Sequence, residues 1–368
     1  MIEQFNSLSI EQKIGQLFFI GIAGPELDEA TRVLLSEISP GGVCLFARNI
    51  KGFEQTRELL DGIRAIALIE PFLSIDQEGG LVDRLRRIMT PMPAASKLPF
   101  AESAAEQAAI IGETLSILGF NMDFAPVVDV IDTERGKHSN GLFSRTYGSS
   151  KTDATDFAGQ FLHSLQSKGI VACVKHFPGL GAAQVDSHEE LAVVNTSEYE
   201  FDDTDLFPYR ELLKNEIVHA IMAAHVCFPN HPLQEKDKTG KLLPASLSYS
   251  FITRLLHREL GFEGVVVTDD LEMGAIRKNY GIGEACKMAV LAGVDMLAIC
   301  AEPANIRSGF KAVCKAVREG EISLERIDAS LARIAKVKAP LTAPPVFDVD
   351  RLKALSAETA AFAAKISQ

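Results

Sequence analysis

Eight short, nearly uninterrupted apolar runs dominate the possible folds of this chain. They fall at residues 17–22, 42–47, 72–76, 122–128, 171–176, 220–225, 265–269 and 296–300. None alternates apolar with polar residues, as a strand with one wet face would. Runs of this kind suit parallel strands buried on both faces. Between them lie stretches with a helical period, at 26–38, 53–66, 101–118, 154–166, 207–215, 250–260 and 284–292. Eight β/α units over about 300 residues predict a (β/α)8 barrel. An open doubly wound sheet is the alternative. No GxGxxG opens a helix after the first strand, so no dinucleotide site is expected. A GxxxxGK-S/T phosphate loop is also missing.

The expected organisation is one catalytic barrel over residues 1–340. A Pro-rich connection and a C-terminal helix, within 341–368, pack back on it. The segment 229–243 is polar and reads as an excursion on the rim. Ser9 with Gln12 has the spacing of a helix-starting capping box.

Composition narrows the function classes. Of 368 residues, 47% are hydrophobic and the net charge is −12. That charge argues against general binding to nucleic acid or anionic membrane. The six cysteines are scattered without zinc-site spacing, so they are expected to be reduced core residues. The first residues lack the charged and apolar regions of a signal peptide, and no run reaches membrane-spanning length. A cytoplasmic protein follows as the expectation, with no metal or organic cofactor. The oligomeric state is open, with a monomer as the default.

In a barrel of this type the C-terminal strand ends build the site. Here those ends carry Arg48, Asp76, Glu78, Arg84, Asp129, Arg145, Lys175, His176, Asp186, His188, His225, Asp269, Asp270 and Glu302. Singly, each has a structural explanation, such as a helix cap, a salt bridge or a satisfied buried histidine. Together, carboxylates, histidines and cations on one rim suit glycoside hydrolysis. That reaction needs a carboxylate on one side of the anomeric carbon and a proton donor on the other. A histidine tuned by a carboxylate can be that donor, and Asp186 and His188 stand two residues apart. A metal-dependent hydrolase would want a His-x-His pair near the early strands, which is absent.

Several motifs carry a resemblance. GQLFFIGIAG and GGVCLFARNI open the chain's first two strands. IDQEGGLVDRL, NMDFAPVVDV, SRTYGS, KHFPG, PASLS, VVVTDDLEMGAI and AGVDMLAIC follow. This set resembles glycoside hydrolase family 3, and within it the single-domain β-N-acetylhexosaminidases, over roughly residues 8–301. The resemblance implies that Asp269 is the nucleophile and His188 the acid/base, with Asp186 as its dyad partner. It implies Asp76, Arg84, Arg145, Lys175 and His176 as ligands of the sugar. The implied activity is a retaining exo-β-N-acetylglucosaminidase that forms a covalent glycosyl-enzyme. Its implied substrates are small carbohydrates, specifically 1,6-anhydro-N-acetylmuramyl-peptides of peptidoglycan recycling. Alternatives are transfer of the sugar to phosphate by a phosphorylase, and a sugar-binding or sensor barrel without turnover. Two departures stand out. Leu180 occupies a position where the family has histidine, and Leu81 follows DQEGG where arginine is common. Residues 179–181 read as a hinge for the loop bearing Asp186 and His188.

Overall fold

The computed structural model of the chain describes residues 2–137, 141–185, 190–215 and 217–367. Its centre is eight parallel strands: β1 (Phe18–Gly21), β2 (Gly42–Leu45), β3 (Phe72–Ile75), β4 (Met122–Asp123), β5 (Val171–Phe177), β6 (Ala220–Ala223), β7 (Val265–Thr268) and β8 (Leu297–Ile299). Their order in the sheet is β7-β6-β5-β4-β3-β2-β1-β8. A parallel bridge between Val267 and Met296 joins β7 to β8 and closes the barrel. Every residue of these strands is buried, which is why their sequences are continuous apolar runs. The interior is packed rather than hollow. Phe19 of β1 stands 5.1 Å from Phe124 and 6.3 Å from Phe72, measured between ring centroids.

Local chemistry sets the element ends. Ser9 and Gln12 exchange both bonds of the capping box ahead of the helix Ile10–Gly15. The next helix begins at Glu29 rather than 26, because Asp28 caps it by accepting from the Thr31 amide. The helices Phe53–Ile66 and Ala101–Leu118 have the expected bounds. The fourth strand is shorter than its apolar run. Pro126 has no N–H to give, so pairing to β5 turns irregular: the Ala125 and Pro126 carbonyls accept from Cys173 and Lys175, and the Val128 amide donates back to the Lys175 carbonyl. The helix Ser250–Glu259 winds with wider i→i+5 hydrogen bonds.

After β8 the helices Pro303–Arg318 and Leu324–Lys338 complete the outer layer. Residues 341–348 hold no regular element. The helix Val349–Ile366 then packs against Ala101–Leu118, fastened by the Arg351–Glu113 ion pair and by Ser356 bonding to Thr90. The segment 229–243 is pinned at the rim. The Glu235 carboxylate accepts from the Ser250 amide and the Ser248 hydroxyl. All six cysteines are buried and unpaired with one another as disulfides. Among the described residues no helix is long and apolar enough to cross a membrane.

Candidate active site

The site begins at the end of β3. Gln77–Gly79 and Val82–Asp83 form a small antiparallel hairpin. Its turn needs glycine twice, since Gly79 and Gly80 have φ of 92° and 58°. A side chain on Gly80 would strike Ala94 at 2.5 Å. The hairpin is braced from within. Gln77 Nε2 donates to Asp83 Oδ1, Gln77 Oε1 accepts from the Arg84 amide, and Asp83 Oδ2 accepts from Met92. The result is a rigid mount for Asp76, Glu78 and Arg84.

From the end of β5, Lys175 reaches this mount. Its Nζ lies 2.7 Å from Asp76 Oδ1 and 2.6 Å from Glu78 Oε1. Arg145 grips Glu78 with two parallel bonds, Nε to Oε2 at 2.8 Å and Nη2 to Oε1 at 2.9 Å. The same Nη2 lies 3.3 Å from His176 Nε2. A guanidinium can only donate, so Nε2 must accept, and the ring proton sits on Nδ1. That proton goes to Asp129 Oδ2, 2.7 Å away. The four charged groups Asp76, Glu78, Lys175 and Arg145, with the His176 ring, thus form one connected set.

The charges in this set hold one another ionised. Burial is the largest single influence and works to raise both carboxyls, but the surrounding cations together outweigh it. With Arg84, Lys175 holds Asp76 far below the usual carboxylate range. With Arg145, it holds Glu78 down at about 2. Conversely, desolvation works to lower Lys175 and Arg145, and the two carboxylates keep both above their ordinary values. Asp123, at the end of β4 beneath them, behaves oppositely. Burial pushes it up to about 8, and its single bond from the Gln77 amide does not compensate. Its other oxygen has no hydrogen-bond partner among the described residues.

Asp269 follows β7. Its amide is fixed to the Ala223 carbonyl of β6, and its Oδ1 accepts from the Asp270 amide at 2.8 Å. Asp270 turns away to cap Glu272, and burial, with Glu272 and Asp269 nearby, lifts it to about 7. His225 supports this end. Its Nε2 faces the Asp270 carbonyl at 3.1 Å and its Nδ1 the Ser246 hydroxyl at 2.7 Å. Asp269 opens into a cavity of about 220 Å³. One wall of the cavity is Asp76, Arg84, Arg145, Lys175 and His176, and the other is apolar, with Phe46, Phe124, Met222 and Met273. A carboxylate facing a fixed array of donors and acceptors is equipped to attack a carbon whose neighbouring hydroxyls that array holds. Among the described residues no group of three His, Cys, Asp or Glu is placed to hold a metal ion.

The structure therefore gathers Asp76, Arg84, Arg145, Lys175, His176 and Asp269 around one cavity. Asp186 and His188 lie outside the described residues. Two residues noted at the strand ends but given no role, Glu78 and Asp129, prove to be partners in this set. Glu78 had a readable signal, because it stands two residues from Asp76 on an extended segment and so shares its face. Among the described residues Arg48 pairs with no carboxylate. It donates to the Ile22 and Cys300 carbonyls, tying β1 to β8. Residues 179–181, read as a hinge from the sequence, are packed in this structure. Leu180 is buried and its amide donates to Asp129 Oδ1 at 2.6 Å. A side chain on Gly181 would meet the Val130 carbonyl at 2.2 Å. The segment is a packed root, and leucine replaces histidine there as part of the core.

Comparisons with known proteins bear on the chain as a whole. The family model described as the glycosyl hydrolase family 3 N terminal domain matches residues 9–337. The chain is 33% identical over 298 residues to a Beta-hexosaminidase of Psychromonas ingrahamii, covering 79% of this chain and 83% of that protein. It is 31% identical over 341 residues to Beta-hexosaminidase A of Pseudoalteromonas piscicida, covering 86% of this chain. It spans only 55% of the length of that second relative. Among solved structures, a glycoside hydrolase family 3 β-N-acetylglucosaminidase from Paenibacillus sp. superposes with a TM-score of 0.86 at 35% identity. That match covers 97% of this chain and 69% of the Paenibacillus one.

Proposed function

The chain belongs to glycoside hydrolase family 3, and from that premise we propose that it removes terminal β-linked N-acetylglucosamine with retention of configuration. The observation that carries this reading is the opening of Asp269 into the same cavity as the ionic wall of Asp76, Arg84, Arg145, Lys175 and His176. In the proposed mechanism the Asp269 carboxylate attacks the anomeric carbon and forms a covalent glycosyl-enzyme. His188, oriented by Asp186, protonates the departing oxygen. It then takes a proton from the water that releases the sugar. The wall residues hold the sugar hydroxyls. Because their charges compensate one another, they need no rearrangement as charge develops at the reacting carbon.

The names of the relatives support N-acetylhexosaminides as the substrate class. The finer proposal is that the sugar is taken from 1,6-anhydro-N-acetylmuramyl-peptides. The decisive experiment is to trap the intermediate with 5-fluoro-N-acetylglucosaminyl fluoride and map the labelled peptide. A label on Asp269 is expected. Turnover with the label on another residue would sink the assignment.

A further inference from the structure

Just past the end of β2 stand Phe46, Arg48 and Asn49, which the proposed reaction leaves without a task. All are held in place. Arg48 donates from Nε to the Ile22 carbonyl at 3.1 Å and from Nη2 to the Cys300 carbonyl at 2.6 Å. Asn49 is fully buried, and its Nδ2 donates to the Ile22 and Gly24 carbonyls. Its Oδ1 accepts from the Phe46 amide at 2.9 Å. The Arg48 guanidinium lies over the Phe46 ring, 4.6 Å from its centre. The ring is thus clamped through its backbone and on its face, and it lines the cavity.

Arg84 shares that ring, with its guanidinium carbon 5.8 Å from the centre. Its other ties are slack. Lys175 and Arg145 meet their carboxylates at 2.9 Å or less. Among the described residues the Arg84 side chain reaches only Asp76, from Nη2 at 3.5 Å, the outer limit of a hydrogen bond. Its Nε is buried and has no partner among those residues. A guanidinium carries several N–H donors, and leaving them buried and unpaired costs free energy until an acceptor arrives. Attraction to a ring face draws on the cation's charge and occupies none of those donors.

We propose that Phe46 is a positioning residue: its ring, clamped by Arg48 and Asn49, seats Arg84 and leaves the donors of that guanidinium for an oxygen of the substrate. This inference rests on the hydrolase reading, with Arg84 as a ligand of the sugar, and names what aims that ligand. A carboxylate gripping Arg84 as Glu78 grips Arg145 would fix it equally well, but would consume the donors. An aliphatic side chain at position 46 would fill the space without offering a negative face.

The test is a double-mutant cycle on an aryl β-N-acetylglucosaminide, read as kcat/KM. Phe46→Leu keeps apolar bulk and removes the ring face. In the otherwise unmodified protein it should lower kcat/KM about tenfold. In an Arg84→Met background the same change should lower it less than about twofold, because the group it seats is gone. Phe46→Tyr keeps the face and should hold kcat/KM within about threefold of the parent. Phe46→Met takes the place of Phe46→Leu if the latter does not fold. A loss that persists undiminished without Arg84 overturns the inference, as does full activity in Phe46→Leu. If Arg84→Met alone leaves kcat/KM intact, Arg84 is no ligand and the inference falls with it. If the unmodified protein does not cleave the glycoside, the hydrolase reading fails and takes this inference with it. Cleavage without coupling between the two positions removes the role of Phe46 alone.

Discussion

Replacing Lys338 with methionine is expected to stabilise the protein at neutral pH, and to do so less and less as the pH rises. Lys338 ends the helix Leu324–Lys338 and is fully buried beneath the barrel. Its Nζ lies 2.8 Å from the Gly41 carbonyl and 4.9 Å from the centre of the Phe72 ring. Among the described residues no carboxylate pairs with it. Burial lowers its pKa from 10.5 to about 7, with only a partial opposing pull from Glu70. The folded value lies below the unfolded one. The unfolded chain therefore binds more protons between these limits, and stability rises with pH across them. Linkage puts the penalty at about 4 kcal/mol at pH 7 and under about 1 kcal/mol at pH 10. Methionine keeps the straight stem and removes the charge. The lost contacts cost about 1 kcal/mol, because the Gly41 carbonyl keeps its bond from the Phe72 amide. The net gain at pH 7 is thus about 2–3 kcal/mol. Denaturant unfolding of both proteins at pH 7, 8, 9 and 10 measures it. A Lys338→Met protein less stable at pH 7, or one whose curve runs parallel to the parent, would refute the reasoning.

Four further outcomes are expected. Asp269→Ala should lose at least roughly a thousandfold of the release of nitrophenol from an aryl β-N-acetylglucosaminide, and His188→Ala should slow poor leaving groups more than good ones; equal losses on both leaving groups would deny His188 the acid role. Glu78→Gln leaves Lys175 and Arg145 short of a buried counter-charge, so it should cost about 3 kcal/mol of stability and raise KM; wild-type unfolding midpoints would show the ion set to be dispensable. Asp123 is raised to about 8, so the folded state holds its proton where the unfolded chain has lost it, and stability falls as pH climbs from about 4 to 8. Asp123→Asn should flatten that fall, and an identical slope in unfolding experiments at pH 4.5, 6 and 8 would contradict the assignment.

The barrel was legible because its strands are buried on both faces and need continuous apolar runs, a pattern that survives without knowledge of the partners. The helix ends at Phe53 and Ile66 were legible for the same local reason. The short fourth strand was not, since losing one donor at Pro126 matters only where a neighbouring strand asks for it. The site residues lie at strand ends, so their positions could be read, but their wiring could not. Nothing in the sequence tells that Lys175 divides itself between Asp76 and Glu78. Nor does it tell that Asp129 serves a histidine 47 positions away. The packing of residues 179–181 was hidden for a comparable reason. Two glycines around Leu180 suggest freedom, whereas Gly181 is required there by close packing against Val130.

Asp129 receives the His176 ring on one oxygen and the Leu180 amide on the other. The cavity wall and the start of the loop are therefore bolted to a single carboxylate. A change at this one carboxylate would be felt in two places together, so that Asp129→Asn would loosen the His176 ring and the foot of the loop in a single step.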